Sequence, residues 1–115
     1  MKLPHREHAY IPREKITGYL LNPEHPKGRG KAKFFTSFGY SLTQWEKLKE
    51  ALLQHMNTHD VSYSEKTPFG TRHVIEGKIF TPIGRTPKVR VVWFIEMSGT
   101  QPRLVTAYPI EVNDD

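Results

Sequence analysis

The stretch KVRVVWFIE, residues 88–96, is a nearly continuous apolar, β-branched and aromatic run, broken only by Arg90 and by charges at its ends. That composition predicts a strand covered on both faces. On its N-terminal side TPIGRTP (81–87) reads as a loop, and before it TRHVIEGKIF (71–80) reads as a strand. VSYSEK (61–66) alternates polar and apolar residues, and TPFG (67–70) has proline and glycine where a tight turn needs them. On the C-terminal side SGTQP breaks the run, and RLVTAYPI (103–110) supplies a fourth strand. Four strands joined by short connections predict an antiparallel meander.

The first half of the chain changes period from two to 3.6. Pro12 stands at a first helical position, Ile16, Tyr19 and Leu20 recur at i, i+3 and i+4, and Asn22-Pro23 ends the helix. A second helix spans about Arg29 to Phe38, with Ala32, Phe35 and Phe38 on one face and Gly39 as its stop. The third begins at Ser41, where Ser41-x-x-Gln44 has capping-box form, and carries Leu42, Trp45, Leu48, Leu52 and Met56 to about Asn57. The expected fold is therefore α+β: about three N-terminal helices packed on one face of a four-stranded antiparallel sheet. The expected organisation is a single domain over 1–115, with a flexible N-terminus (1–10), a helical part (11–58) holding a basic loop (22–33), a sheet (61–110) and an acidic tail (111–115).

With 115 residues, 37% hydrophobic and 25% charged, the chain has the makings of one ordinary core. Zero cysteines exclude disulfides and thiolate-bound zinc and agree with a reducing compartment. No apolar leader opens the chain and no run of apolar residues is long enough to span a bilayer, so the expected location is the cytoplasm. The net charge of +5 favours an anionic partner, and the excess sits in residues 1–60, with ten Lys/Arg against six Asp/Glu. His5 and His8 have metal-binding spacing but no fixed third ligand, so neither metal nor cofactor is expected.

The basic excess concentrates in NPEHPKGRGKAK, residues 22–33, where Pro and Gly impose a shaped loop up to about Arg29. It presents His25 and then Lys27, Arg29, Lys31 and Lys33, leading into a helix start whose free N–H groups attract phosphate. A solvated basic loop that binds nothing would have the same composition. Arg90 is a cation set in an apolar strand and needs a partner, either Glu76 or Glu96 in an ion pair or a substrate phosphate. Simple alternation in 103–110 puts Leu104, Thr106, Tyr108 and Ile110 on one face, and Arg103, Val105 and Ala107 on the other. His73, in phase with Ile75 and Ile79, reads as a hydrogen-bonded, half-buried residue rather than a base. His55 and His59 suit the C-terminal end of the third helix. One imidazole, nearby cations and Thr and Tyr hydroxyls suffice for RNA cleavage without a metal, through attack of the ribose 2′-OH to a 2′,3′-cyclic phosphate. The catalytic candidates are His25, Lys31, Arg90, Thr106 and Tyr108, and the RNA-binding candidates are Lys27, Arg29, Lys33, Arg72 and Arg85. The competing reading is a non-catalytic module holding RNA or an acidic protein; a third is a structural or regulatory protein.

The segments IPREKITGYLLNPEHPKGRGKAKFF, TPFGTRHVIEG, TPIGRTPKVRVVWFIE and PRLVTAYP, covering about residues 11–110, resemble an uncharacterised bacterial domain family. That family occurs at the C-termini of polymorphic toxins and as stand-alone proteins encoded beside a small antitoxin-like protein. VTAYP is similar to the last strand of toxins of the barnase, EndoU, colicin and RelE ribonuclease fold. The resemblance implies an endoribonuclease toxin of a toxin–antitoxin pair with a small acidic antitoxin, and it points to the same five catalytic candidates. His73 departs from the pattern, which has an aromatic such as tyrosine there.

Overall fold

A computed structural model describes residues 1–110; the expected acidic tail, 111–115, lies outside the described residues. The helices are α1 (Arg13–Lys15), continuing directly into a π-helical turn (Ile16–Leu20), α2 (Arg29–Ser37) and α3 (Trp45–Thr58). The strands β1 (Tyr63–Thr67), β2 (Gly70–Lys78), β3 (Lys88–Glu96) and β4 (Arg103–Pro109) form one antiparallel sheet in sequence order. The architecture is the expected α+β one, and β3 has the bounds read from its apolar run.

Alternate residues of β3, Val89, Val91 and Trp93, join Ile75 of β2, Ile79 just past its end, Leu104 and Ala107 of β4, and Ile16, Leu20, Phe35, Leu48, Leu52 and Met56 of the helices in one buried cluster. Burying each such side chain contributes on the order of 1.5–3 kcal/mol, so this face holds the domain together. The other face of β3 is not covered in the same way. Val92 is buried beside its cross-strand partner Val74, outside that cluster, while Arg90 and Phe94 are half-buried. The expectation of cover on both faces is thus corrected: the helical layer closes one side, and long polar and aromatic side chains occupy the other.

Two local expectations, the alternation in β4 and the capping box, also give way to physical detail. In β4 a bulge opposite Val92 and Trp93 inserts Val105, so that Leu104 and Ala107 both reach the core while Thr106 pairs opposite Val92 and Tyr108 opposite Arg90. Arg103 pairs opposite Phe94 and lies over its ring, joining Thr106 and Tyr108 on the open face. The capping box does not form: Ser41 Oγ meets Thr43 Oγ1 at 3.2 Å, and Leu42–Gln44 make a 3₁₀ turn that leaves Leu42 exposed. His55 stands in the last turn of α3 as expected, and there it is buried. The N-terminal residues make contacts with the rest of the domain: Leu3 is buried, Lys2 Nζ donates to Asp60 Oδ1 at 2.9 Å, and Tyr10 makes a parallel bridge to Arg103. This bridge covers the outer edge of β4, whereas β1 is exposed throughout.

Candidate active site

The loop 22–28 is shaped by its own side chains. Asn22 Oδ1 accepts from the Glu24 N–H at 3.0 Å, an Asx turn, and His25 Nδ1 accepts from the N–H groups of Lys27 at 3.0 Å and Gly28 at 3.1 Å. A ring nitrogen that accepts two backbone donors carries no hydrogen, so the neutral His25 ring holds its proton on Nε2. As placed, His25 can only donate, from Nε2, and offers no free acceptor nitrogen. Gly28 brings this loop onto the first helical segment: a Cβ there would lie 2.4 Å from the Tyr19 carbonyl oxygen.

Tyr19 belongs to the π-helical turn, closed by the Leu21 N–H bond to the Ile16 carbonyl at 2.8 Å. The turn buries Ile16 and Leu20 and leaves Tyr19 half-buried, its ring edge-on to His25 with centroids 4.9 Å apart. Its hydroxyl lies 3.0 Å from Thr106 Oγ1 on β4. Lys15 Nζ and Lys31 Nζ sit 5.2 and 5.4 Å from the ring centroid. Burial pushes the phenol up, but the Thr106 hydrogen bond, together with the hydrogen bond and charge of Lys31 and the charge of Lys15, brings it net below its ordinary value. Tyr19, His25, Lys27, Lys15 and Thr106 line an open cleft of about 650 Å³.

Lys31 extends the group beyond the cleft. Its ammonium donates to the Lys27 carbonyl at 3.0 Å and lies 5.8 Å from the centroid of Tyr108 as well as over Tyr19. Arg90 Nη1 donates to Tyr108 Oη at 3.3 Å, while its Nε and Nη2 are taken by Glu76 Oε2 at 2.7 and 2.5 Å. The hydrogen bonds to Tyr108 and Glu76 hold the guanidinium still further toward its charged form. Of the two carboxylates open to Arg90, the register selects Glu76, directly opposite on β2.

All five catalytic candidates therefore lie in one run of contacts, His25 to Tyr19 to Thr106, and Tyr19 through Lys31 to Tyr108 and Arg90. Tyr19, the residue that joins the two halves, escapes the sequence reading because its spacing with Ile16 and Leu20 assigns it to a core stripe. A phenol in an otherwise aliphatic stripe, six residues before the loop histidine, is the signal that marks it. The RNA-binding candidates spread more widely. Lys27 lines the cleft; Arg29 and Lys33 line a separate depression with Pro23 and Thr36; Arg72 is paired to Glu65 at 3.3 Å; and Arg85 is exposed in the β2–β3 loop. His73 hydrogen-bonds Ser64 Oγ at 2.6 Å, and burial lowers its pKa. It sits opposite Trp93, whereas Arg90 pairs with Tyr108 on the other face.

The architecture is that of a small α+β domain with a basic, hydroxyl-bearing cleft where helices meet the edge strand. The chain belongs to the family described as "Domain of unknown function (DUF6883)", whose model matches residues 2–111. No curated protein matches the sequence. Among solved structures, a chain of the "Contact-dependent growth inhibition toxin - immunity protein complex from Klebsiella pneumoniae 342" is similar, with a TM-score of 0.68 and 13% identity over 87% of this chain and 98% of that one. At that identity the likeness is one of fold. Among the described residues no helix is long and apolar enough to cross a membrane.

Proposed function

We propose that this chain is an endoribonuclease toxin that acts in the cytoplasm on RNA without a metal and is neutralised by a small acidic protein. The observation that carries this reading is the run of contacts from His25 through Tyr19 and Lys31 to Tyr108 and Arg90, with Thr106 on the cleft wall. In the proposed reaction the 2′-oxygen attacks phosphorus as its proton leaves, the P–O5′ bond breaks, and the 5′-oxygen is protonated. The products are a 2′,3′-cyclic phosphate and a 5′-hydroxyl. Lys31 and the His25 Nε2–H hold the phosphoryl oxygens, and Thr106 and Tyr108 orient the phosphate, with Arg90 behind Tyr108. Lys27, Arg29 and Lys33 attract the RNA backbone, and Arg72 and Arg85 extend that field over the sheet. The fold shared with a member of a toxin–immunity protein complex supports both the toxin reading and the protein partner. A partner whose carboxylates imitate phosphates would cover the same cations.

The second reading is a module that holds RNA or an acidic protein without cleaving, and it is favoured by the Glu76 carboxylate already occupying two nitrogens of Arg90. Incubation of the purified protein with total RNA, tRNA and single-stranded DNA in EDTA separates the two. The ribonuclease reading expects cleavage of RNA alone, leaving cyclic-phosphate ends, and reduced by Lys31→Ala by about 100-fold. Tight, salt-sensitive binding with no cleavage would establish the binding module instead.

A further inference from the structure

Resting on the ribonuclease reading, we propose that Tyr19 is the general acid of the reaction, passing its phenolic proton to the departing 5′-oxygen, and that His25 is a fixed hydrogen-bond donor rather than a proton carrier. The step balances as follows. The 2′-OH gives its proton to a water and bonds to phosphorus; the P–O5′ electron pair leaves with the 5′-oxygen, which takes the Tyr19 proton. The phenolate left behind is reprotonated by solvent. Thr106 supports the exchange, because either oxygen of the Tyr19–Thr106 pair can act as donor: its hydroxyl accepts from the phenol and can turn to donate to the phenolate. Lys31, above the ring, stabilises the same charge.

Three observations single out Tyr19. First, His25 cannot accept a proton on Nδ1 without giving up the bonds from Lys27 and Gly28, and transfer of its Nε2 proton would leave an imidazolate. Second, Tyr19 lines the cleft, whereas Tyr108 stands outside that lining, beside Arg90 on the sheet. Third, Tyr19 is set by an irregular helical turn on one side and by the close approach of Gly28 on the other, which fixes its ring against His25. The lowered phenol suits an acid that releases its proton readily.

The test compares two substrates that differ only in their need for an acid: a dinucleoside phosphate, whose leaving group is an alkoxide, and a nucleoside 3′-(4-nitrophenyl phosphate), whose leaving group departs unprotonated. Tyr19→Phe is expected to lose about 100-fold on the first and less than about fivefold on the second. The wild-type rate on the first should fall at alkaline pH, and Lys31→Gln should move that fall to higher pH. Retained cleavage of the nitrophenyl ester also reports that Tyr19→Phe is folded. Equal losses on both substrates, or no loss on either, would overturn the assignment; in the first case Tyr19 is a positioning residue. His25→Ala is expected to lose similar factors on both, and selective loss on the alkoxide substrate would return the acid to His25. Should the wild type cleave neither substrate nor RNA, it is the ribonuclease reading that fails, and Tyr19 loses its role with it.

Discussion

Two regions of this domain are built from the same parts and put them to different uses. At the cleft, His25 packs edge-on against Tyr19 beneath a loop that Gly28 presses onto the Tyr19 backbone. At the far end of α3, His55 stacks on His59 with centroids 4.5 Å apart, and Gly77 lies so close that a Cβ there would be 2.2 Å from the His59 ring. Each region has an imidazole, an aromatic neighbour and a glycine that permits close approach. The difference is what surrounds them. The first opens to solvent among Lys15, Lys27 and Lys31, whereas His55 is buried with Nε2 at 3.2 Å from the Gly77 carbonyl oxygen and, among the described residues, no partner for Nδ1. An imidazole among cations at a surface is available to a ligand; one sealed in the core serves as an uncharged packing unit.

The largest effect expected from this contrast is on stability against pH. Burial first, and then the neighbouring His59, lowers His55 to about 4 from an ordinary 6.5. The unfolded chain therefore binds the proton more tightly than the folded one. The contribution of His55 is fully present above about pH 6.5 and is lost as pH falls toward 4, by about 3 kcal/mol in all. Urea unfolding at pH 7 and pH 4.5 should show that loss in the wild type and a much smaller one in His55→Gln, whose amide can still donate to Gly77. Equal pH dependence in both proteins would mean that another group carries it.

The two glycines sharpen the same comparison at a smaller scale. A methyl group at Gly28 meets a backbone carbonyl oxygen, which cannot yield without moving the loop or the π-helical turn, so Gly28→Ala should destabilise by about 2 kcal/mol. At Gly77 the obstacle is the end of a half-buried imidazole that can turn toward solvent, so Gly77→Ala should cost about 1 kcal/mol. Chemical denaturation of the two variants gives the order directly. A reversed order would show that the His59 ring is held more firmly than the cleft loop.

The extent to which these regions could be read from sequence follows from the range of the interactions that make them. Long apolar periodicity was sufficient for β3 and for Leu48, Leu52 and Met56 of α3, because burial of a repeating face is a local pattern. The TPFG turn was legible for the same reason, since Gly70 with φ of 153° needs a residue without a Cβ. The set His25, Lys31, Thr106 and Tyr108 was legible as chemistry, while the contact that joins it through Tyr19 depends on a π-helical turn that no residue spacing announces. The bulge at Val105 is likewise silent in the sequence, and without it alternation puts Leu104 on the wrong face. His55 has its expected place in the last turn of α3, but its burial was not legible, because it comes from β2, where Gly77 leaves room for the histidine pair. The partner of Arg90 needed the strand register, which only the folded sheet supplies.

The smallest expected effect asks how far the cationic region reaches. Glu76 and Arg90 are each about a quarter to a third exposed, at 26% and 31%, so breaking their pair with Glu76→Gln should change stability by less than about 1 kcal/mol. Glutamine keeps the length of the side chain and one oxygen for the Arg90 Nε, but it removes the charge that now neutralises the guanidinium. If RNA phosphates approach the sheet at Tyr108, this substitution should raise RNA affinity about threefold and steepen the dependence on salt by up to about one counterion. Fluorescence anisotropy with a labelled oligoribonucleotide across a salt series measures both. Lys31→Ala provides the opposite sign in the same assay, since it removes the ammonium that lies near both Tyr19 and Tyr108. An unchanged affinity and slope in Glu76→Gln, beside a clear loss in Lys31→Ala, would end the RNA path at Lys31 and leave Arg90 as a strut of the open sheet face.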